Sequence, residues 1–226
     1  QEQLVDLETE EVIPTRLISV TNSQAVVAFW LEKVPGLSYR RIALKETKTA
    51  NEKMVEKRNV MGDTVVEKTI TLENNFYLLT VDLEKGCLTS AFDKALQKEL
   101  VDVEDQWGFG QFLYANGGEG TRLVGNQMDL LDGHVDLLHD FSIEKYEIQS
   151  FAYGKSIKIA GKVPFGNIAI EWKLLDKIKR FDVSFEYEKE ERLEKEAVYV
   201  AFPLSVQQAE TLSDSQLGWV NWDQDQ

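Results

Sequence analysis

The sequence predicts an all-β protein, and three observations lead to that class. Short segments in which apolar and polar residues alternate dominate the chain, and this period of two is typical of half-buried strands. Sustained helical periodicity is scarce. Short turn-like segments join neighbouring strand patterns, as they do in β-hairpins.

Six segments carry the clearest alternation, and we expect each to form a strand. They are Val65–Leu72, Phe76–Leu83, Ser156–Lys162, Asn167–Leu175, Arg180–Tyr187 and Ala197–Val206. Two hairpin connections follow from their spacing. One is Glu84–Gly86, where the glycine can supply the positive φ of a turn, and the other is Leu175–Ile178.

The fourth and fifth of these strands each place four apolar side chains on one face. We expect both rows to point into the space between two sheets: Ile168, Ile170, Trp172 and Leu174, then Phe181, Val183, Phe185 and Tyr187. The intervening charged residues are expected to point toward solvent or an outer layer: Glu171, Lys173, Asp182 and Glu186.

Two polar stretches interrupt the strand patterns. Glu186–Glu196 has a helix-forming composition but contains only Leu193 as an apolar anchor, so it is interpreted as a solvated strand end and connection. Thr47–Asp63 is polar and poorly periodic, and it is interpreted as a linker or exposed excursion. The chain is therefore expected to contain a small first unit over 1–46 and a main domain over 64–226.

The charge balance bears on the class of partner. With 25 Lys and Arg against 39 Asp and Glu, the net charge is −14. A surface this acidic repels phosphate backbones and anionic lipids, which disfavours nucleic-acid and membrane-surface roles. No stretch is long and apolar enough to predict a membrane span. No signal peptide is visible, but the chain begins at Gln1, so the cellular compartment stays undecided.

Motifs for metal, phosphate or nucleophilic chemistry are weak. The two histidines, His134 and His139, are badly spaced to share a metal, although Asp132, His134 and Asp136 would share a face if extended. The glycine-rich 116–120 segment lacks the Lys-Ser/Thr of a phosphate loop. Cys87 is the single cysteine and is expected to be a small core residue.

A cluster of aromatic residues precedes the glycine-rich segment. Sugar rings stack on exposed aromatic side chains, whereas strand alternation favours core packing for most of this cluster. The candidates for carbohydrate contact are Trp107, Tyr114, Asn116 and Glu119. With 39 acids in the chain, a close carboxylate pair of the kind that glycosidases use is expected by chance and carries little weight.

Three segments, in order along the chain, resemble one family. Leu72–Lys94, followed by Lys98–Asp102, contains a Glu-Asn pair, an aromatic pair, a glycine turn, Asp-Lys and a closing Glu-Leu-Val-Asp. Val34–Tyr39 reads Val-Pro-Gly-Leu-Ser-Tyr, and Lys195–Pro203 contains Glu-Ala followed by Ala-Phe-Pro. These segments resemble the C-terminal β region of glycoside hydrolase family 38, the α-mannosidases, with a departure at Ser38, where that family usually has glycine.

The resemblance implies a galactose-mutarotase-like β supersandwich over 64–226, incomplete at its C-terminus, preceded by part of a small β-sandwich unit over 1–46. It also implies a parent enzyme whose zinc and nucleophilic aspartate belong to an N-terminal catalytic barrel that this chain lacks. No cofactor or catalytic residue is therefore expected here.

The expected function is that of a non-catalytic scaffold and substrate-rim portion of an α-mannosidase-like glycosidase, with carbohydrate and the missing catalytic domain as partners. Two alternatives stay open. One is a stand-alone carbohydrate-binding β-sandwich, and the other is a structural interaction domain.

Overall fold

The computed structural model describes residues 2–22, 24–46, 55–59, 67–116, 122–124, 129–131, 136–194, 196–207, 209–215 and 218–221. These residues form strands joined by turns and contain no helix, which confirms the all-β class. Accordingly, no helix in this part of the chain has the length and apolarity to cross a membrane.

Twenty strands make up the described part. The first five are β1 (Glu2–Asp6), β2 (Thr15–Val20), β3 (Ala25–Phe29), β4 (Ile42–Glu46) and β5 (Val55–Asn59). The next five are β6 (Thr69–Glu73), β7 (Tyr77–Asp82), β8 (Cys87–Asp93), β9 (Lys98–Glu99) and β10 (Gln111–Asn116). Three short strands follow: β11 (Arg122–Val124), β12 (Asp129–Leu131) and β13 (Asp136–Leu138). The last seven are β14 (Ser142–Phe151), β15 (Gly154–Val163), β16 (Gly166–Leu175), β17 (Phe181–Lys189), β18 (Glu196–Ala201), β19 (Leu212–Ser215) and β20 (Gly218–Asn221).

Three antiparallel sheets build the central sandwich. The largest has the order β17-β16-β15-β14-β5, and the others are β6-β7-β8-β9 and β13-β10-β18. The two smaller sheets are joined by backbone bridges at Leu88–Phe109 and Val101–Leu204, so together they form a second layer. Two-stranded sheets β1-β4 and β2-β3 form the N-terminal part, while β11-β12 and β19-β20 are separate hairpins.

The core lies between the five-stranded sheet and the second layer. Trp172 of β16 is fully buried, and its ring faces Phe109 at a centroid distance of 6.2 Å. Gly110, with φ +80°, lies against that ring: a Cβ at Gly110 would come within 2.4 Å of the Trp172 Cη2 atom. Further ring contacts, such as Tyr77 with Phe181 at 5.4 Å, join the layers along their length.

The structure confirms most of the predicted strands and both hairpins. The apolar row of β16 is buried, and the β17 row packs against the same core, as predicted. Gly86 in the β7–β8 turn has φ +65°. Val65–Leu72 is described only from residue 67, with its strand beginning at Thr69.

The sequence prediction was wrong at two strand ends. Glu67 and Lys68 are described but precede the first residue of β6, Thr69. Ala197–Val206 does not continue as a strand beyond Ala201. Pro203 follows two residues later and has no N–H to donate to a sheet ladder. After it, Leu204 forms a single bridge to Val101.

Within the stretch 47–63, the structure describes only β5, which pairs with β14 over Val55–Asn59. Residues 190–194 connect β17 to β18 without a helix, which confirms the interpretation of the charged stretch before Glu196.

Replacing Trp172 tests the predicted faces of β16. Trp172→Ala removes a fully buried ring, so we expect the free energy of unfolding to fall by about 3–5 kcal/mol. Lys173→Ala is the matched control, because Lys173 points to the opposite face and is only half-buried. It should lower the free energy by less than about 0.5 kcal/mol. Urea unfolding measures both, and equal midpoints would contradict the face assignment.

Candidate functional site

Trp107 is one of the predicted carbohydrate contacts that the structure leaves partly accessible. It is half-buried in the bends before β10. Its indole meets the His139 imidazole edge to face, with ring centroids 5.2 Å apart and planes at 70°. The backbone N–H of Trp107 donates to the Asp105 carboxylate at 2.8 Å, which fixes the bend.

A side chain that contacts a sugar must be exposed, and Tyr114 is not. The expectation that Tyr114 contacts carbohydrate was therefore wrong. Its side chain is fully buried, and its ring packs 4.8 Å from the Phe165 centroid. Its hydroxyl donates to the Glu196 carboxylate. Burial, and then the neighbouring Glu196 carboxylate, raises the pKa of the Tyr114 phenol to about 12. Tyr114 is therefore part of the core.

The remaining carbohydrate candidates are not gathered with Trp107. Asn116 ends β10, half-buried, opposite Glu196 of β18 and Asp136 of β13. Glu119 lies outside the described residues. The described candidates thus divide between a Trp107–His139 contact and the end of β10, and they do not form a single sugar platform.

The metal hypothesis falls mostly outside the described residues. Asp132 and His134 are not described, and His139 is exposed beside Trp107. Within the described part, no group of three His, Cys, Asp or Glu side chains is placed to hold a metal ion. Cys87 is fully buried, as predicted, and burial raises the pKa of its thiol to about 12.

An ion pair that the sequence did not indicate joins the N-terminal strands to the sandwich. Arg16 of β2 reaches the outer face of the five-stranded sheet, where its Nε donates to the Gln149 side chain at 2.9 Å. Its Nη2 donates to the Ser156 hydroxyl at 3.2 Å and to the Glu171 carboxylate. The guanidinium carbon also lies 4.8 Å from the centre of the Phe151 ring. We call this cluster the arginine joint.

The arginine joint is largely withdrawn from solvent. The side chains of Arg16 and Glu171 are 11% and 20% exposed. Burial of Glu171 raises the pKa of its carboxyl group, but hydrogen bonding and charge attraction from Arg16 outweigh burial, so the pKa is lowered overall. Glu171 is therefore held ionised by its partner.

A groove lies beside the arginine joint, between β2 and the outer face of the sheet. Its volume is about 610 Å³. The first wall is the β2 segment 16–20, and the second wall is formed by Glu147, Gln149, Ser156, Lys158, Glu171, Lys173 and Glu186. We call it the hairpin groove. A neighbouring hollow of about 390 Å³ shares Glu186 with it.

A bulge in β2 shapes the first wall. The pairing of β2 with β3 shifts register between Leu17 and Ser19, which leaves Ile18 as an extra residue. Such bulges re-aim side chains and occur often beside functional sites. The bulge lies within the segment 16–20, all five residues of which line the groove.

The carboxyl groups of the described part that have a shifted pKa all have it lowered. The backbone N–H of Glu8 lowers the pKa of Asp6, and the ammonium of Lys179 lowers that of Asp93. The ammonium of Lys189 does the same for Glu196. A general acid of a glycosidase requires the opposite shift. These groups are therefore arranged as structural ion pairs.

Breaking the arginine joint should be costly and pH-dependent. Arg16→Met leaves the Glu171 carboxylate buried without its cation, so we expect a loss of about 3 kcal/mol at pH 7. The lowered pKa means that the ion pair stabilises the fold above the ordinary value of 4.5 and loses its effect as the pH falls through the folded pKa. The difference between wild type and variant should therefore shrink in acid.

Arg180→Met is the matched control, because Arg180 pairs with Asp182 at 2.9 Å but its side chain is 56% exposed. It should change the free energy of unfolding by less than about 0.5 kcal/mol. Urea unfolding between pH 3 and pH 7 measures both variants. Equal losses in the two variants would show that the joint contributes little to stability. An Arg16→Met loss that does not vary with pH would show that it does not arise from the ion pair with Glu171.

Comparison with known proteins adds no relative to these observations. No family model matches the chain, and no curated protein matches it.

Proposed function

We propose that the chain is the non-catalytic scaffold and substrate-rim portion of an α-mannosidase-like glycoside hydrolase. The observation that carries the proposal is the use made of the polar residues in the segment that resembles that family. All of the Glu-Asn and Asp-Lys residues of this segment serve the architecture: Glu73, Asn74, Asp93 and Lys94.

The first pair fixes the turn between β6 and β7. The Asn74 side-chain oxygen accepts hydrogen bonds from the backbone N–H groups of Phe76 and Tyr77, both at 2.8 Å. Its Nδ2 donates to the Leu175 carbonyl at 2.6 Å. Leu175 ends β16, so Asn74 connects one layer of the sandwich to the other.

The second pair closes the same region from β8. Asp93 is buried, accepts hydrogen bonds from the Ala95 and Leu96 N–H groups, and pairs with the Lys179 ammonium at 2.7 Å. Lys94 donates to the Glu73 carboxylate at 2.5 Å and to the Asn74 carbonyl at 2.7 Å. A motif whose polar groups bind one another and the backbone supports a scaffold role.

Two further observations support the proposal. The carboxyl groups with shifted pKa values are held ionised, which suits structural pairing better than proton donation. Trp107 is partly accessible and can offer a ring face at a substrate rim. Under this proposal, zinc and the nucleophile come from a separate catalytic barrel.

Activity measurements test this function. The purified chain should not hydrolyse 4-nitrophenyl α-D-mannopyranoside, with or without added zinc. A longer product of the same gene that contains this chain should hydrolyse it, lose activity to a chelator and regain it with zinc. Turnover by the isolated chain that a substitution within it abolishes would overturn the proposal. A longer product without mannosidase activity would also overturn it.

A further inference from the structure

We infer that the hairpin groove is a binding site for a short, uncharged saccharide. This inference concerns a surface distant in sequence from the Trp107 region and does not depend on the proposed function. The groove volume of about 610 Å³ falls within the roughly 300–1,000 Å³ that is usual for small-molecule sites.

The floor of the groove is preorganised. Ser156 and Arg16 have relative exposures of 1% and 9%. The arginine joint bonds Arg16 to three groups of the sheet, so the polar atoms at the floor already have fixed positions. A ligand would therefore meet oriented groups, and little conformational entropy would be lost on binding.

The charged groups around the groove balance. Three cationic side chains, those of Arg16, Lys158 and Lys173, are matched by three carboxylates, those of Glu147, Glu171 and Glu186. Arg16 pairs with Glu171, and Lys158 pairs with Glu186 at 3.2 Å. The groove thus presents oriented donors and acceptors, most of them within ion pairs, and carries no net charge. A sugar hydroxyl can both donate and accept hydrogen bonds, so it can use either kind of group.

The net charge of the whole chain disfavours an anionic ligand. At −14, the chain repels polyanions at long range. The balanced lining offers a polycation no concentrated negative site. An uncharged polyhydroxyl compound is the class that both observations favour.

The β2 wall adds an apolar surface opposite the polar one. Leu17, Ile18 and Val20 line it, and the last two are 53% and 66% exposed. A pyranose ring has hydroxyl groups around its edge and C–H groups on its faces. A groove with one polar and one apolar wall can therefore bury the C–H face while it pairs the hydroxyl groups.

Titration of the full chain with uncharged disaccharides tests the inference. We would add α-linked mannobiose, maltose and cellobiose in turn, and follow amide chemical shifts by NMR. Saturable shifts confined to β2 and to the groove-lining parts of β14, β15, β16 and β17 are expected with at least one sugar. Spermidine and glucuronic acid serve as charged probes and should not produce the same shifts.

Two variants and a matched control locate the site. Lys173→Ala removes a donor, and Ser19→Trp fills the groove from β2. Each should weaken binding by about tenfold or more. Lys162→Ala is the control, since Lys162 belongs to the same sheet, is 67% exposed and does not line the groove. It should leave the affinity unchanged.

Three results would contradict saccharide binding in the hairpin groove. Absence of saturable binding by all three sugars would overturn the inference, as would equal weakening by Lys162→Ala or preferential binding of spermidine. If Ser19→Trp fails to fold, Lys173→Ala alone still decides. Hydrolysis by a longer gene product is measured independently. A negative result in the sugar titration would therefore not contradict the scaffold proposal.

Discussion

Burial of the Trp172 indole between the two layers constrains the residues on both sides of the sandwich. The second layer accommodates the ring by placing Gly110 against it in a left-handed conformation that a side chain rarely adopts. Phe109 and Phe185 complete the enclosure, with ring centroids 6.2 and 6.5 Å from that of Trp172. The indole Nε1 has no hydrogen-bond partner among the described residues. The apolar burial of the ring must therefore outweigh an unpaired polar group.

The burial of Trp172 also determines which residues lie on the opposite face of β16. Side chains alternate along a strand, so an inward Trp172 requires Glu171 and Lys173 to point outward. Those two side chains are components of the hairpin groove, and Glu171 is also the anion of the arginine joint. Core packing and the chemistry of the outer face are thus coupled through the register of one strand. A shift of one residue in the register of β16 would turn Trp172 out of the core and would also remove Glu171 from the outer face.

The sequence predicts features that depend on local periodicity. The faces of β16 and β17 and the burial of Cys87 follow from residue type and alternation alone. Tyr114 was misjudged because β10 lies between β13 and β18 and is buried on both faces, so alternation cannot separate its core residues from its surface residues. The arginine joint could not be found, since the partners of Arg16 lie 133 to 155 residues away in the sequence. No local pattern marks an isolated arginine as the cation of such a contact.

Cys87 gives the chain a built-in reporter of transient opening. Its thiol is fully buried, its pKa is about 12, and it lies so close to Gly108 that a Cβ there would approach the sulfur within 2.2 Å. The thiolate is the form of cysteine that attacks alkylating reagents, and little of it is present at neutral pH, so the closed molecule is almost inert toward them. Modification requires the β8 region to separate from the segment before β10. Since the chain contains one cysteine, the rate of its modification reports that separation without any engineered label.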